Sequence, residues 1–195
     1  VMRRWKPMIC FRWALVLLLL CQPQFFAAFF NETGARLPAY AGRSYAVVAT
    51  DADADGDPDL VVAEDDRCRL LANDGDGVFT EAPPAALPAV PGAGVVRDID
   101  AVDVNSDTLA DLMLTHSRGS LALWLNNGAG AFVDESEARL PQVDALCSAI
   151  ETGDVNGDRR PDAIVATRDA VNRVLMYHDG VFVDETDTRL PETAT

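Results

Sequence analysis

Carboxylates occupy every second position of Asp51-Ala-Asp-Ala-Asp-Gly-Asp-Pro-Asp59. Oxygens at positions 1, 3, 5 and 9 of such a loop can converge on one centre if the chain curls, and a hard cation with six to eight oxygen ligands suits them. Ca²⁺ fits better than Mg²⁺, which demands tight octahedral geometry and gives up water reluctantly. Without a cation the cluster is costly, because two carboxylates about 4 Å apart at an effective dielectric near 20 repel by about 4 kcal/mol. Two relatives of the loop come later in the chain, Asp103-Val-Asn-Ser-Asp-Thr-Leu-Ala-Asp111 and Asp154-Val-Asn-Gly-Asp-Arg-Arg-Pro-Asp162.

The loops recur with a period of roughly 50 residues, the signature of a repeat architecture. Other landmarks keep the same step. Phe79-Thr-Glu81, Phe132-Val-Asp-Glu135 and Phe182-Val-Asp-Glu-Thr186 mark one phase, Phe29-Phe-Asn-Glu-Thr33 precedes them, and each is followed by Leu-Pro, at Leu37, Leu87, Leu140 and Leu190.

Apolar residues lead into every acidic loop and an apolar run leaves it (Leu60-Val-Val62, Leu112-Met-Leu114, Ala163-Ile-Val165). A second apolar run ends in Asn73-Asp-Gly-Asp-Gly77, Asn126-Asn-Gly-Ala-Gly130 or His178-Asp-Gly180, residues that tolerate the positive φ of tight hairpins. Each unit therefore predicts four short strands, and the chain reads as all-β. Four strands per unit is the content of one propeller blade, and radial packing of blades protects the edges that a lone sheet exposes. The units run approximately 39–88, 89–141 and 142–191, and Phe29 to Pro38 predicts a leading extra strand. Closed propellers need at least four blades, so the reading is a partial propeller: a fragment of a larger one, an open arc, or blades completed by another chain. Val1 before Met2 favours an incomplete reading frame.

The 195 residues carry 31 Asp or Glu against 16 Lys or Arg, a formal net charge of −15. Such a surface repels phosphate backbones and excludes nucleic acid as a partner. The basic residues Arg3, Arg4, Lys6 and Arg12 flank the apolar run Trp13-Ala-Leu-Val-Leu-Leu-Leu-Leu-Cys21, and Ala27-Ala28 follows. Residues 1–28 have the layout of a secretory signal, with an uncleaved anchor as the alternative and Leu18-Leu-Leu-Cys21 faintly resembling a lipoprotein attachment site. Secretion or a periplasmic location is expected, with membrane contact only through an uncleaved leader. Cys68 and Cys147 lie in different phases of the repeat, Cys68 in a charged turn, so two thiols are expected rather than a disulfide.

An EF-hand is rejected, since its twelfth position needs a bidentate acid and Val62, Leu114 and Val165 stand there. The loop pattern Asp-x-Asp-x-Asp-Gly-x-x-Asp-Leu, followed by Asn-Asp-Gly-x-Gly-x-Phe and Phe-x-Asp-Glu-Thr, resembles the FG-GAP/VCBS repeat family over residues 29–195, including secreted bacterial members with ASPIC/UnbV-type modules and the propellers of integrin α-subunits. The resemblance implies a β-propeller with Ca²⁺ in interstrand loops. Carried over position by position, it makes Asp51, Asp53, Asp55 and Asp59 side-chain ligands with the Asp57 carbonyl. The equivalents are Asp103, Asn105, Asp107 and Asp111 with the Leu109 carbonyl, and Asp154, Asn156, Asp158 and Asp162 with the Arg160 carbonyl. Gly56 becomes Thr108 and Arg159, and a branched residue is disfavoured if that turn needs positive φ. The first loop ranks strongest and the second weakest.

The function expected is a secreted Ca²⁺-stabilised scaffold that binds a protein or a glycan. The alternatives are a catalytic or non-catalytic part of a larger extracellular enzyme, and a structural envelope repeat. Catalytic groups are thin. His116 beside Ser117 reads as a solvated loop with no third member of a triad, His178 as a substitute for the Asn of a hairpin turn, and Trp124 as core rather than a sugar platform. A glycosidase acid needs an apolar pocket to raise its pKa, whereas these aspartates sit where a cation would hold them ionised.

Overall fold

The computed structural model describes residues 33–64, 67–90, 94–117, 120–168 and 170–190. Two compact units divide between Thr33 and Gly34, and the strands all belong to the second, residues 34–195. The leader 1–28, with Cys10 and Cys21, lies outside the described residues, as does Pro191.

Among the described residues, twelve strands form three four-stranded antiparallel sheets, each a meander in chain order. The first holds β1 (Ser44–Thr50), β2 (Asp59–Glu64), β3 (Cys68–Asn73) and β4 (Phe79–Glu81). The second holds β5 (Val96–Val102), β6 (Asp111–His116), β7 (Leu121–Asn126) and β8 (Phe132–Asp134), and the third β9 (Cys147–Gly153), β10 (Asp162–Thr167), β11 (Arg173–His178) and β12 (Val181–Asp184). We call the sheets blades 1, 2 and 3. Among the described residues none closes on itself, and the arrangement is propeller-like.

The apolar runs sort by the two-residue period of a strand. In β6 every residue is buried, because the central blade is covered on both faces. Leu112 and Leu114 point into a core shared with Val61, Ala63 and Leu70 of blade 1, joined by Ala122 and Trp124 of β7. Met113, between them, joins Leu121 and Leu123 in a second core with Ala163, Val165, Leu175 and Tyr177 of blade 3. Each core is thus an inter-blade seam. Trp124 is fully buried, as its strand position demands.

β1 packs beside β5, and β5 beside β9. The second pair is joined by side chains. Asp98 Oδ2 accepts the Ile150 N–H (3.0 Å) and Asp100 Oδ2 accepts the Thr152 N–H (2.7 Å), while their Oδ1 atoms accept the N–H groups of Ile99 (3.1 Å) and Ala101 (2.9 Å). These two acids were not among the residues that the repeat pattern singled out; their signal is their alternation with Ile99 and Ala101 within β5.

The leading strand needs correction. Phe29 to Glu32 lie outside the described residues, and Thr33–Arg36 form a helical turn, α1, rather than a strand. Equivalent turns, α2 (Ser136–Arg139) and α3 (Thr186–Arg189), follow β8 and β12. The cause is local: the Ser136 and Thr186 N–H groups donate to the Asp134 and Asp184 side chains, 2.9 and 3.0 Å, which turns the chain out of the sheet. Arg36 of α1 donates to the Asp76 carbonyl (2.5 Å) as Arg139 of α2 donates to the Gly180 carbonyl (3.1 Å), so both turns dock on the hairpin of the blade that follows.

Candidate metal centre

The three acidic loops join the first and second strands of their blades and share one hydrogen-bond skeleton. The ninth position opens the second strand and is buried in all three: Asp59, Asp111 and Asp162. One carboxylate oxygen accepts the N–H of the second loop residue, from Ala52 (2.9 Å), Val104 (3.0 Å) or Val155 (3.2 Å). The other accepts an N–H from the end of the third strand, from Asn73 (2.8 Å), Asn126 (2.8 Å) or Tyr177 (3.0 Å). This residue therefore closes the loop and fastens it to its sheet, satisfying backbone donors that are buried or partly buried. Tyr177, not His178, occupies the hairpin-asparagine register, a correction to the expectation from sequence; His178 sits one residue on and pairs through Nε2 with Glu185 Oε1 at 2.7 Å.

The first position accepts the amides of the fifth and sixth. Asp51 takes Asp55 (3.1 Å) and Gly56 (3.0 Å), Asp103 takes Asp107 (3.2 Å) and Thr108 (2.9 Å), and Asp154 takes Asp158 (3.2 Å) and Arg159 (2.8 Å). This curl needs positive φ at two positions. Ala54, Ser106 and Gly157 have φ of 63°, 64° and 84°, and Gly56, Thr108 and Arg159 have 95°, 74° and 68°. Thr108, a β-branched residue, thus holds a left-handed conformation that its side chain disfavours.

In the first loop the curl brings Asp51, Asp53 and Asp59 together, with one carboxylate oxygen from each within 4.8 Å of the others. Among the described residues no other group of three His, Cys, Asp or Glu side chains meets in this way. In the other two loops the third position is Asn. The Asn105 amide donates to Asp107 Oδ2 (2.9 Å) while its oxygen accepts the Asp107 N–H (2.9 Å), and Asn156 does the same with Asp158 (2.9 and 2.7 Å). The fifth carboxylate there has an intraloop partner, and the charge of the third is gone. Asp57, Leu109 and Arg160, expected to offer carbonyls, lie in their loops with their N–H groups bonded to Asp55, Asp107 and Asp158 at 2.9, 2.8 and 2.8 Å.

The electrostatics follow. Desolvation pushes the Asp53 carboxyl above its ordinary value, with the charges of Asp55, Asp59 and Asp51 adding to it against the Asp55 amide hydrogen bond. Burial lifts Asp111 to about 6, opposed by the amides of Asn126 and Val104. Asp158 is lowered, first by the Asn156 side chain and then by the Arg160 amide. Three hard oxygen donors in a loop that raises a carboxyl pKa form a donor set that fits a hard divalent cation.

A family model for FG-GAP-like repeats matches residues 51–114 and again 103–165, each match starting at an acidic loop and ending in the second strand of the next blade. The chain belongs to the FG-GAP-like repeat family. Repeats of this family suggest a β-propeller-like binding scaffold. Among curated proteins none matches the chain. Of solved structures, an Agrocybe aegerita lectin, described as specifically recognising non-reducing terminal N-acetylglucosamine, is similar at 22% identity and a TM-score of 0.46 over 69% of this chain and 36% of the lectin. The V. cholerae biofilm matrix protein Bap1 is similar at 18% identity and a TM-score of 0.41 over 75% of this chain and 21% of Bap1. The FG-GAP-like chain spans about a third of the lectin and about a fifth of Bap1.

The remaining candidates lie elsewhere in this FG-GAP-like fold. His116 is not in a solvated loop: it is the last residue of β6, fully buried, with Nδ1 3.0 Å from Ser120 Oγ. β6 runs longer than its sequence suggested because its register with β5 extends to Val96. Cys68 begins β3 rather than sitting in a turn, and burial pushes its thiol up to about 12. Beside it Arg69, itself buried, pairs with buried Glu64 (3.0 Å) and with the more exposed Glu81 (2.8 Å) and lies against the Tyr40 ring, an ionic cluster that no sequence pattern announced. No helix among the described residues is long and apolar enough to cross a membrane.

Proposed function

We propose that this FG-GAP-like chain is a secreted, calcium-binding β-propeller-type scaffold that presents a rigid surface to a protein or glycan ligand. The observation that carries the cation reading is the convergence of Asp51, Asp53 and Asp59. These three would hold the ion, with Asp55 and the Asp57 carbonyl as the further donors that the family pattern assigns. The ion supplies positive charge where the folded chain gathers negative charge, removing a repulsion that opposes the loop's curl. Asp59 has a second role, since its hydrogen bonds to Ala52 and Asn73 tie the loop to the sheet.

Loops 103–111 and 154–162 have the same backbone path and fewer negative donors, so they hold the ion more weakly. The second loop is expected to be the weaker of the two, because its left-handed sixth position is the β-branched Thr108 where the third loop has Arg159. Secretion rests on the layout of residues 1–28. Missing blades come from the rest of a longer chain or from another chain.

The test is a melting curve of the chain with Ca²⁺ and with EGTA. At a free concentration 100 times its Kd, one site raises folded-state stability by about 2.7 kcal/mol. A Tm indifferent to the ion rejects the reading.

A further inference from the structure

The two inter-blade seams are fastened by different means. Between blades 2 and 3 the fastening is direct, from Asp98 and Asp100 of β5 to the Ile150 and Thr152 amides of β9. The equivalent positions of β1, set by its register with β2, are Ala46 and Val48, which carry no acceptor toward β5. The seam between blades 1 and 2 is instead bridged by the Arg97 guanidinium of β5, 5.4 Å from the centre of the Tyr45 ring of β1, and at its acidic end by a backbone hydrogen bond. The Gly130 N–H, in the β7–β8 hairpin of blade 2, donates to the Ala52 carbonyl in the first loop at 3.2 Å. Gly130 has φ +70°, and a Cβ there would lie 3.4 Å from the Cβ of Asp53. The hairpin therefore rests on the residue that carries one of the three converging carboxylates.

No such contact joins the second loop to blade 3 among the described residues. Hairpin length gives the reason. Residues 127–131 separate β7 from β8, whereas only 179–180 separate β11 from β12. The long hairpin is also held from below, because Asp111 Oδ1 accepts the Asn126 N–H (2.8 Å) and Asn126 Oδ1 accepts the Gly128 N–H (2.9 Å).

We infer that occupancy of the first loop by a divalent cation tightens the seam between blades 1 and 2 through the Ala52–Gly130 contact, while the seam between blades 2 and 3 does not respond to the ion. The inference rests on the cation reading proposed for this loop and adds a direction to it. Without the ion, repulsion among Asp51, Asp53 and Asp59 favours an opened loop, and Ala52 and Asp53 move away from the hairpin with it. With the ion, the loop is fixed and the hairpin has a rigid surface to dock on. The Asp98 and Asp100 bridges involve no loop residue, so blade 3 stays fastened in either state.

The experiment pairs Ca²⁺ titration calorimetry with amide hydrogen exchange of the same 195-residue chain. At free Ca²⁺ about ten times the measured Kd, exchange across 127–131 is expected to slow about tenfold more than exchange across 150–152. A variant whose hairpin is shortened to the length of the blade 3 hairpin is expected to keep the binding heat and lose the difference. Binding heat with equal slowing at both seams, or with none at 127–131, overturns the inference and leaves the cation reading intact. Absence of binding heat, or heat unaffected by Asp51→Asn with Asp53→Asn, overturns the reading and the inference with it.

Discussion

Asp100 of β5 and Thr152 of β9 are bound twice: one carboxylate oxygen, Oδ2, accepts both the backbone N–H (2.7 Å) and the side-chain hydroxyl (2.5 Å) of Thr152. The other oxygen accepts the Ala101 N–H at 2.9 Å. A side chain thus bridges two edge strands whose backbones do not pair. The bridge satisfies edge donors and sets blade 3 in register with blade 2.

Removing that bridge has a defined cost. Asp100→Ala leaves the Thr152 and Ala101 donors without their acceptor in a partly buried seam, and about 1–3 kcal/mol of stability is lost. Asp100→Ala combined with Thr152→Val is expected to lose less than the sum of the two single variants, because the pair is in contact. Urea denaturation of the four proteins measures both quantities; additive losses reject the bridge.

The first loop separates charge from shape. Asp53→Asn gives it the third-position Asn of the other two loops while keeping its Gly56. Calcium affinity by calorimetry is expected to fall toward that of the other loops, and the metal-free protein is expected to melt no lower, because repulsion with Asp51, Asp55 and Asp59 is relieved. Unchanged affinity in Asp53→Asn would rule Asp53 out as a ligand.

Position six tests backbone strain. Thr108→Gly removes a left-handed conformation worth about 1–2 kcal/mol of strain and adds about 0.5–1 kcal/mol of unfolded-state entropy, a net gain of up to about 1.5 kcal/mol at φ 74°. Gly56→Thr is expected to change stability in the opposite sense at φ 95°. Thermal melting in EGTA, where no ion contributes, reads the pair, and the same sign for both substitutions contradicts the assignment.

His116 makes stability depend on pH. Burial lowers its pKa below 6.5, with the Asp134 charge acting weakly the other way. The folded chain therefore binds this proton less readily than the unfolded one. Its contribution is full above about pH 6.5 and is lost as pH falls below that value toward the folded pKa. Denaturation midpoints of wild type and His116→Gln between pH 5 and 8, read as a difference, isolate the effect. A difference that does not change across that window sinks the prediction.

The repeat, the all-β class and the four strands of each unit were legible because they follow from local chemistry. Alternation of apolar residues sets a strand, and Gly, Asn and Asp set its turns whatever lies beyond them. Trp124 was legible for the same reason. His116 was not, because the end of a strand is decided by pairing across the sheet: Val96 pairs opposite it, and Ser120 meets its imidazole. Tyr177 stood outside the Asn pattern because the feature that counts there is a backbone N–H, which every residue but proline carries.

By itself, then, the sequence determined three copies of a strand-loop-strand unit and placed carboxylates or amides at fixed positions of each loop. These are short-range properties, set by neighbours a few residues apart. Only the tertiary structure decided that Asp51, Asp53 and Asp59 share one space while Asn105 and Asn156 turn to their own loops. It alone paired Asp98 and Asp100 with β9, 52 residues away, and set the blade 2 hairpin on the first loop. Contacts over such separations depend on how whole sheets stack, and the stacking is fixed by the summed packing of both faces of the central blade rather than by any local pattern.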